Sequence, residues 1–448
     1  MEDTRKEIVT LLRQKKYREL KTVLEDLFPV DIAEILEELT GEECIILFRL
    51  LYKEQAAEVF SYLGVQERKQ IVSAISKDLL SYILSELYFD DKIDFLEEMP
   101  ANFVRGVLAA ASPEERGQLN QFLNFPENSA GSLMTIEYVD LKQQMTAREA
   151  MARIKRVGLD KETIYTCYVV DNTQRLEGIL SLRQLVLADE EQRIGDLMHT
   201  EIVSVEAHDD QEAVAELFKK YDLIAIPVVD AEQRMIGIIT IDDIVDIIEK
   251  ENTEDFQKMA AMTPSEQPYL DTGVLRLARG RIVWLLVLMI SATFTGAIIT
   301  KYEALLSSAV ALAAFIPMLM DSGGNAGSQS STLIIRGMAL GEIGLRDWAR
   351  VLWKELRVGL IAGILLALVN FARMALLGHN ELAVCMSVAV TLLLTVVVAK
   401  LVGGLLPIGA KALRLDPAIM AGPLITTIVD AFSLVIYFGI ASVLVLNR

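Results

Sequence analysis

Hydrophobic residues are distributed differently in the two parts of the chain. Up to about residue 275 they recur at helical or strand spacing among charged residues, whereas residues 276–448 contain five long apolar segments. A transmembrane helix needs about 20 mostly apolar residues. The segments of about that length are 282–300, 304–321, 358–377, 382–406 and 418–446. We therefore predict a multidomain protein whose residues 276–448 form a five-span α-helical transmembrane pore domain.

Residues 1–129 show a repeated helical pattern. The segments 29–39, 53–63 and 89–99 align with apolar residues in matching positions, which predicts an all-α helical-repeat N-domain. Asp90 and Asp94 lie four residues apart on one face of the third segment. Like charges at this spacing disfavour a helix slightly unless a cation lies between them. They form either a solvated pair or part of a cation site.

Residues 130–250 contain a second repeat. YVVD at 168–171 recurs as PVVD at 227–230, and GILS at 178–181 recurs as GIIT at 237–240, both displaced by 59 residues. Each copy has the pattern of helix, apolar strand, turn, apolar strand and helix. This organisation resembles a tandem pair of α/β CBS domains, a class that typically binds adenine nucleotides.

The second CBS copy retains the family's nucleotide signature, whereas the first has Ser181 and Gln184 in the corresponding positions. The resemblance therefore implies a site for ATP, as a regulatory ligand, in the second copy alone. The residues assigned to it are Gly237, Thr240, Asp242 and Asp243. The alternative is a structural CBS pair that binds no nucleotide.

Acidic residues are concentrated in the second CBS copy and the segment after it, which we predict to be a long connecting helix over 251–275. They include Asp210, Glu212, Asp222, Asp242, Asp243, Asp246, Glu249, Glu251, Glu254 and Asp255. Several share a helix face, so they form either solvated surfaces or an interface bridged by cations. Hard oxygen ligands suit Mg²⁺ or Ca²⁺, and the lack of clustered His and Cys disfavours zinc and copper.

The charge balance supports a cation as the ligand. The 43 Lys and Arg and 62 Asp and Glu give a net charge of −19, and residues 1–275 alone carry −25. Nucleic-acid binding requires basic residues, so no nucleic-acid partner is expected. The cysteines Cys44, Cys167 and Cys385 lie far apart and suggest neither disulfides nor a zinc site. The N-terminus lacks the apolar core of a secretory signal.

Basic residues predict the orientation in the membrane. Ten of them flank the spans on one side, in 276–281, 336–357 and 411–414, whereas the other side has Lys301 and Arg448. By the positive-inside rule, the N-terminus is cytoplasmic and five spans place the C-terminus outside. The expected location is the cell membrane, as a multi-pass protein.

Asp430 is the most informative polar residue of the spans. It lies about a dozen residues into the last span, with Thr426 and Thr427 one turn earlier. An ionisable side chain in hydrocarbon costs about 2.5 to 3.5 kcal/mol and usually faces a cavity or a partner. Asp430 therefore faces either water and a passing cation, or a basic residue of another span such as Lys400 or Arg373.

Pro317 and the run DSGGNAGSQSS at 321–331 predict a break in the second span. Irregular backbone at membrane depth persists where it is buried in protein or lines a cavity, which suggests an ion path. Alternatively, the glycines only allow helices to approach closely.

The order of these features resembles the MgtE family of magnesium channels along essentially the whole chain. The specific motifs are AGSLMT at 130–135, GGNAGSQ at 323–329 and LDPAIMAGPLITTIVD at 415–430. The resemblance implies a homodimer in the lipid bilayer, an ion path between the subunits lined by the second and fifth spans, and a cytoplasmic sensor for Mg²⁺. The relatives often have Asn before the proline of the fifth span, whereas this chain has Gly422.

The resemblance also assigns site residues. The pore set is Asp430, Asn325 and Asp416. The sensor set is Asp90, Asp94, Asp210, Glu212, Asp222, Asp243, Asp246, Glu251, Glu254 and Asp255. The implied function is Mg²⁺ influx that stops when Mg²⁺ binds between the acidic faces and the connecting helix closes the pore.

Two other functions are consistent with the sequence. One is a CBS-regulated transporter of another divalent cation such as Co²⁺ or Mn²⁺, and the other is a nucleotide sensor that the membrane domain only anchors. An enzyme is disfavoured, because the sequence has neither a Walker loop nor an HExxH motif.

Overall fold

The computed structural model describes residues 2–265, 269–270, 272–308, 310–377, 381–420 and 422–445. The chain divides into two compact units, Met1–Ile248 and Glu249–Arg448. The division falls inside one helix, Ile241–Met259, rather than in a loop.

Ten short helices form the N-terminal part of the first unit. They are α1 (Glu2–Arg13), α2 (Tyr17–Glu25), α3 (Pro29–Glu37), α4 (Gly41–Phe48), α5 (Lys53–Tyr62), α6 (Val65–Ala74), α7 (Lys77–Glu86), α8 (Phe89–Glu97), α9 (Ala101–Ala110) and α10 (Pro113–Phe122). α3 packs on α5, α5 on α7 and α4 on α6, so helices two apart along the chain are neighbours. The predicted helical-repeat domain is confirmed, and the three segments that predicted it correspond to α3, α5 and α8.

Aromatic side chains hold this array together. Phe60 packs edge to face on Phe95, with ring centroids 5.3 Å apart, and Phe89 packs in the same way on Phe122 at 4.6 Å. All four rings are buried. Full burial of a Phe side chain contributes about 1.5–3 kcal/mol, so these contacts fix α8 in the array. The position of α8 determines where Asp90 and Asp94 lie.

Two similar three-stranded sheets follow, as the 59-residue repeat predicts. The first contains β1 (Val139–Leu141), β2 (Thr166–Val170) and β3 (Leu176–Ser181); the second contains β4 (Val205–Glu206), β5 (Ala225–Val229) and β6 (Met235–Thr240). In each sheet the first two strands are parallel and the last two antiparallel, with the same irregularity at the end of the middle strand. The tandem CBS pair is confirmed.

The helices around these sheets complete the first unit. They are α11 (Ala130–Leu133), α12 (Ala147–Val157), α13 (Leu182–Leu187), α14 (Ile194–Leu197), α15 (Gln211–Tyr221) and the first part of α16 (Ile241–Met259). The second unit begins within α16, at Glu249. α16 starts directly after β6 and carries the acidic segment. The prediction of a connecting helix over 251–275 is wrong in its bounds, because the helix begins ten residues earlier and ends at Met259. The described residues between 260 and 273 are not helical, while 266–268 and 271 lie outside the described residues.

The second unit is a bundle of long helices. Its helices are α17 (Val274–Lys301), α18 (Glu303–Ser308), α19 (Ile316–Ala339), α20 (Trp348–Leu377), α21 (Leu382–Ala412) and α22 (Gly422–Val445). Four described helical stretches are long and apolar enough to cross a membrane: Val274–Lys301, Leu345–Leu376, Leu382–Ala412 and Pro417–Leu444. They coincide with the first, third, fourth and fifth predicted spans.

The second predicted span, 304–321, is wrong as a single helix. α18 ends at Ser308, a 3₁₀ segment covers Val310–Phe315, and α19 starts at Ile316. The predicted break at 321–331 is also wrong, because α19 runs through that whole segment. Pro317 lies in the first turn, where a proline is compatible with a helix because its missing N–H has no helical partner there. By length and composition, the described residues contain four candidate spans rather than five.

The glycines of α19 are explained by close helix packing. α19 packs on both α21 and α22. A Cβ atom at Gly323 would lie 2.7 Å from Thr395 Cγ2 and 2.8 Å from Val429 Cγ1, and one at Gly403 of α21 would overlap the carbonyl oxygen of Gly327. Glycine is therefore required where the backbones of α19 and α21 meet, which favours the packing interpretation of this motif.

Candidate metal-binding sites

Carboxylates from four separate segments meet in the first unit. Asp90, Asp91 and Asp94 belong to α8, while Asp242 and Asp243 open α16. Glu137, just before β1, and Glu162, between α12 and β2, come from the first CBS domain. We call this group the acidic junction; its members are Asp90, Asp91, Asp94, Glu137, Glu162, Asp242 and Asp243.

The charges of the acidic junction repel one another. Burial, followed by the carboxylates of Asp243 and Glu162, raises the pKa of Asp90 well above its ordinary value. Burial and then Asp242 raise the pKa of Glu162 to about 8. Burial raises the pKa of Asp243 to about 7 despite a hydrogen bond from Thr240, and that of Asp91 to about 6 despite the nearby Arg68. Ionising this group without a counter-cation therefore destabilises the folded unit.

Hydrogen bonds fix some of these carboxylates. Thr240 Oγ1 donates to Asp243 Oδ2 at 2.9 Å, and the Asp91 N–H donates to Asp90 Oδ1 at 2.9 Å. The Phe89 N–H donates to Glu137 Oε2 at 3.1 Å. Glu162 Oε2 is buried and receives no hydrogen bond from the described residues. The junction thus combines oriented carboxylates with one oxygen that has no hydrogen-bond donor among those residues.

The described residues do not form a complete metal cage. No three of their His, Cys, Asp or Glu side chains converge on one point with metal-ligand spacing. Mg²⁺ keeps several water ligands and commonly uses one or two carboxylates, so it can bridge a pair of these side chains through water. The geometry favours hydrated ions between faces over a closed ion site.

The remaining residues of the first unit that the sequence predicts to be sensors lie on α15 and α16. Asp210 is the N-cap of α15 and accepts a 2.9 Å hydrogen bond from the Glu212 N–H. Asp222 ends the same helix in the left-handed conformation, with φ of 51°. Asp246 is exposed on α16. Both aspartates therefore have a structural role at the ends of α15. Asp is a preferred N-cap residue, and its short polar side chain is tolerated in the left-handed conformation that ends many helices.

The residues assigned to nucleotide binding lie at the end of β6 and the start of α16. A Cβ atom at Gly237 would lie 2.8 Å from both Met134 Sδ and the Thr135 carbonyl oxygen, so this glycine allows the strand to pack on the AGSLMT segment. Thr240 is buried and bonded to Asp243. Asp243, which the sequence places in both the nucleotide and sensor sets, faces the acidic junction.

A second acidic cluster lies in the second unit, at the end of α16. Glu254 and Asp255 are near Asp416, which precedes the 3₁₀ turn Pro417–Met420. Burial and then Asp416 raise the pKa of Asp255, and Glu251 and Glu254 add to this effect. The structure therefore brings three predicted sensor residues, Glu251, Glu254 and Asp255, near one predicted pore residue.

A polar face runs along α19 beside Asp430 of α22. Asp321, Asn325 and Gln329 are spaced by four residues and are exposed in the single chain, whereas the glycines and the alanine between them are buried. The carboxylate of Asp321 is close enough to repel that of Asp430. Thr426 and Thr427 both donate to the Pro423 carbonyl oxygen, at 2.8 and 2.9 Å. Asp430 and Asn325 therefore belong to neighbouring helices.

The basic residues considered as partners for Asp430 have hydrogen bonds elsewhere. Lys400 Nζ donates to Gln329 Oε1 at 3.1 Å, and Arg373 Nη2 donates to Asn370 Oδ1 at 2.9 Å. Lys400 is 7% exposed and Glu355 9% exposed, and Glu355 accepts a hydrogen bond from Ser330. These bonds place a buried polar network between α19, α20 and α21.

Sequence reasoning missed several members of these clusters. Glu162 follows no motif, and only the sheet topology brings it to α8. Asp91 is adjacent to Asp90, but the four-residue spacing that selects Asp90 and Asp94 does not select it. Asp321 lies in the run 321–331, which the sequence predicts to be a helix break, and Glu355 lies in the basic segment 336–357.

Four helices long and apolar enough to cross a membrane, joined to a helical array and two repeated α/β domains, are the features of a multi-domain, multi-pass membrane protein. Family models give a more specific class. A model described as MgtE, divalent cation transporter, matches residues 316–440. One described as the MgtE intracellular N domain matches 27–128, and the CBS domain model matches 130–191 and 194–250.

The chain belongs to the MgtE family, whose members are transporters rather than enzymes. It is 39% identical over 437 residues to the magnesium transporter MgtE of Thermus thermophilus, covering 97% of this chain and 96% of the relative. It is 33% identical to the magnesium transporter MgtE of Bacillus subtilis, over 97% and 96% of the two chains.

Two solved structures resemble the N-terminal part of the chain. One is the cytosolic domain of the Mg²⁺ channel MgtE in complex with ATP, 37% identical, with a TM-score of 0.52, covering 54% of this chain and 98% of that one. The other is the soluble part of a magnesium transporter, 29% identical, with a TM-score of 0.52, covering 56% and 99%.

Proposed function

We propose that this chain is a Mg²⁺-selective channel that admits Mg²⁺ into the cell and is closed by Mg²⁺ on the cytoplasmic side. Its similarity to magnesium transporters over nearly the whole chain supports Mg²⁺ as the transported ion. The observation that carries the gating proposal is the acidic junction, in which buried carboxylates raise one another's pKa.

Electrostatics gives the direction of gating. Two like charges 4 Å apart repel by about 1 kcal/mol in water and about 4 kcal/mol near a protein surface. Mg²⁺ between the carboxylates replaces this repulsion with attraction, so it favours the conformation in which they are close. The ion selects that conformation only as far as it binds it more tightly than the alternative.

The sensor set extends beyond the acidic junction. Of its members, Asp90, Asp94 and Asp243 lie in the junction, and Glu251, Glu254 and Asp255 lie at the end of α16. We assign Asp210, Glu212, Asp222 and Asp246 to outer positions where hydrated ions bind more weakly. When Mg²⁺ leaves, repulsion separates these faces and weakens the hold of α16 on the pore helices, so influx proceeds down the electrochemical gradient.

The ion path is assigned to the polar face of α19 and to Asp430. Two copies of the chain form a homodimer in the bilayer, and their exposed Asn325 residues and Asp430 carboxylates line a path between the subunits. Asp416 lies at its cytoplasmic end. Hydrated Mg²⁺ exchanges its water slowly, so carboxylate, amide and carbonyl oxygens that accept the hydrated ion favour it over ions that dehydrate more easily.

Mg²⁺ uptake into proteoliposomes tests the pore assignment. Asp430→Asn keeps the size of the side chain and removes its charge, so uptake is expected to fall at least tenfold; Glu342→Gln, at an exposed glutamate after α19, is the control. Unchanged uptake in Asp430→Asn would contradict the assignment and favour a protein that the membrane domain only anchors. Competition with Co²⁺ and Mn²⁺ in the same assay separates a Mg²⁺ channel from a carrier of those ions.

ATP is assigned as a regulatory ligand of the second CBS domain. The support is the ATP complex of the related cytosolic domain and the presence of Gly237, Thr240, Asp242 and Asp243 in this chain. Because Asp243 also belongs to the acidic junction, nucleotide and Mg²⁺ occupancy should influence each other. Calorimetric titration with ATP, with and without Mg²⁺, tests this coupling.

The assigned location is the cell membrane, with a cytoplasmic N-terminus. Its support is the excess of basic residues on one side of the spans. A C-terminus on the outside requires an odd number of crossings, so α19 must act as a fifth crossing in addition to the four apolar stretches. Labelling of single cysteines at each end in intact cells tests both statements.

A further inference from the structure

Lys258, in the last turn of α16, bonds to two carboxylates at once. Its Nζ forms an ion pair with Glu254 one turn earlier and another with Asp416 Oδ2 at 2.7 Å. The Lys258 side chain is 23% exposed, so both bonds are partly shielded from water. Glu254 precedes Lys258 by four residues, which is the favourable order for a helical ion pair.

The partner of Lys258 is itself held in place. Asp416 Oδ1 accepts a 2.8 Å hydrogen bond from the Ala418 N–H, so one oxygen orders the 3₁₀ turn Pro417–Met420 while the other binds the ammonium group. This turn leads directly into α22, the helix of Asp430. Lys258 therefore ties the end of α16 to the start of the helix that carries the assigned pore carboxylate.

A second contact draws α16 to the same bundle. Arg336 Nη1, in the last turn of α19, donates to Asn252 Oδ1 at 3.3 Å. Asn252 is neutral, so of these two contacts only that of Lys258 is an ion pair. α16 is thus linked to both helices of the assigned ion path.

One ammonium group does not balance the acidic charge around it. Glu251, Glu254, Asp255 and Asp416 lie near Lys258, and the pKa of Asp255 remains raised by burial and by Asp416 although Lys258 opposes this. Burial disfavours the charged form of Lys258, but its bonds to Asp416 and Glu254 raise its pKa overall. The lysine is therefore charged at physiological pH. The carboxylates around it still carry a net negative charge, which a bound divalent cation can balance.

We propose that Lys258 is a built-in cation that holds α16 on the turn before α22 when Mg²⁺ is absent, and that bound Mg²⁺ takes over the same carboxylates. This role of Lys258 rests on the proposed closure by Mg²⁺, and it adds a residue that sets the Mg²⁺ concentration at which closure occurs. The contact between α16 and the turn before α22 then forms part of the closed conformation even without Mg²⁺. Because Mg²⁺ has to displace the ammonium group, Lys258 also raises the Mg²⁺ concentration needed for full occupancy.

Hydrogen exchange of the full-length protein in lipid nanodiscs tests this role. The measured segment is 256–263, in which the Ala260 N–H bonds to the Phe256 carbonyl and the Thr263 N–H to the Gly280 carbonyl. Lys258→Gln removes the charge and Lys258→Arg retains it. Lys250→Gln removes an exposed lysine of the same helix and is the matched control.

In chelator, Lys258→Gln is expected to exchange about tenfold faster than the wild type, since a charge-assisted hydrogen bond typically contributes at least that factor. Added Mg²⁺ should return the rate to the wild-type value, whereas Lys258→Arg and Lys250→Gln should stay slow throughout. An unchanged rate for Lys258→Gln in chelator would overturn the proposal. Fast exchange that Mg²⁺ does not reverse would also overturn it, because it would show that Mg²⁺ does not replace the lysine.

Failure of the proposed gating appears in a different measurement. If cytoplasmic Mg²⁺ does not reduce the wild-type current, the proposed function fails whatever the exchange rates are. If Mg²⁺ reduces the wild-type current and Lys258→Gln exchanges slowly in chelator, only the role of Lys258 fails.

Discussion

Asp90, in the first turn of α8, lies beside Asp243, in the first turn of α16, and after burial the Asp243 carboxylate is the largest cause of the raised pKa of Asp90. The two residues come from different domains of the first unit, the helical-repeat array and the second CBS domain. Their approach is unfavourable unless a proton or a metal ion compensates it. On the proposed function, a divalent cation bound between these like charges controls how closely the two domains pack.

Asp243→Asn should stabilise the protein in chelator. The amide removes one charge and can still accept the hydrogen bond from Thr240. We expect a gain of about 1 kcal/mol, which raises the unfolding temperature by about 2–4 °C for a domain of this size. Thermal unfolding of the full chain in detergent measures this, with Glu201→Gln at an exposed loop position as the control. The variant should also gain less from Mg²⁺, and an equal Mg²⁺-dependent gain would argue against Asp243 as an ion ligand.

Stability in chelator should fall as the pH rises from about 5 to 8. The pKa of Glu162 is raised from 4.5 to about 8 and that of Asp243 from 3.8 to about 7, so the folded chain binds protons that the unfolded chain has released. A raised carboxylate pKa contributes stability at low pH and loses it as the pH passes the folded value. Unfolding temperatures at several pH values measure the slope.

Glu162→Gln should flatten the upper part of this pH dependence, since the pKa of Glu162, about 8, lies above those of Asp243 and Asp91, about 7 and about 6. Mg²⁺ should reduce the slope in the wild type, because the ion replaces the protons. A slope that is the same in Glu162→Gln and in the Glu201→Gln control would show that Glu162 does not titrate in this range.

Gly403→Ala should destabilise the transmembrane unit. The added methyl group would overlap the carbonyl oxygen of Gly327, and neither backbone can move without separating α19 from α21. Overpacking of this kind typically costs about 1–3 kcal/mol. Gly409→Ala on the same helix is the matched control, because a Cβ atom there meets nothing within 4 Å. Equal unfolding temperatures for the two variants would contradict the close packing of α19 on α21.

Gly422→Asn should weaken closure. Gly422 starts α22 with φ of +21°, and a Cβ atom there would lie 3.1 Å from the Met259 carbonyl oxygen at the end of α16. A side chain at this position pushes α16 away from α22, so we expect about a twofold higher cytoplasmic Mg²⁺ concentration for half-closure, on the order of a few tenths of a kcal/mol. Macroscopic current measures the half-closing concentration. A lower value would instead indicate that the asparagine adds an ion ligand.

Sequence patterns predicted the elements whose periodicity is regular. The repeated apolar positions of α3, α5 and α8 and the 59-residue displacement of β2–β3 to β5–β6 are local signals, and the structure confirms the domains they imply. α19 was predicted poorly because its small and polar residues are typical of a loop when read alone. Its helix is stabilised by packing on α21 and α22, which one-dimensional patterns do not contain.

The acidic residues were easier to find than their neighbours. Asp90, Asp94 and Asp243 follow from charge spacing and from the family resemblance, but Glu162 reaches α8 only through the fold of the first CBS domain. The predicted range of the connecting helix, 251–275, differs from that of α16, because the last helix of the second CBS copy continues without a break to Met259 and ends there. Nothing in the sequence indicates the contact that Lys258 makes, since one lysine among many acidic residues is an ordinary feature of a solvated helix.

On the proposed function, Mg²⁺ bound between acidic faces on the cytoplasmic side closes the channel. Patch-clamp current through the purified channel, recorded while cytoplasmic Mg²⁺ is varied, tests this closure when the wild type is compared with the double variant Asp90→Asn and Asp243→Asn. We predict that Mg²⁺ closes the wild type and that the double variant needs at least tenfold more Mg²⁺ for half-closure, with its open-channel current unchanged. Wild-type current that does not respond to cytoplasmic Mg²⁺, or equal half-closing concentrations in the two proteins, would contradict the claim.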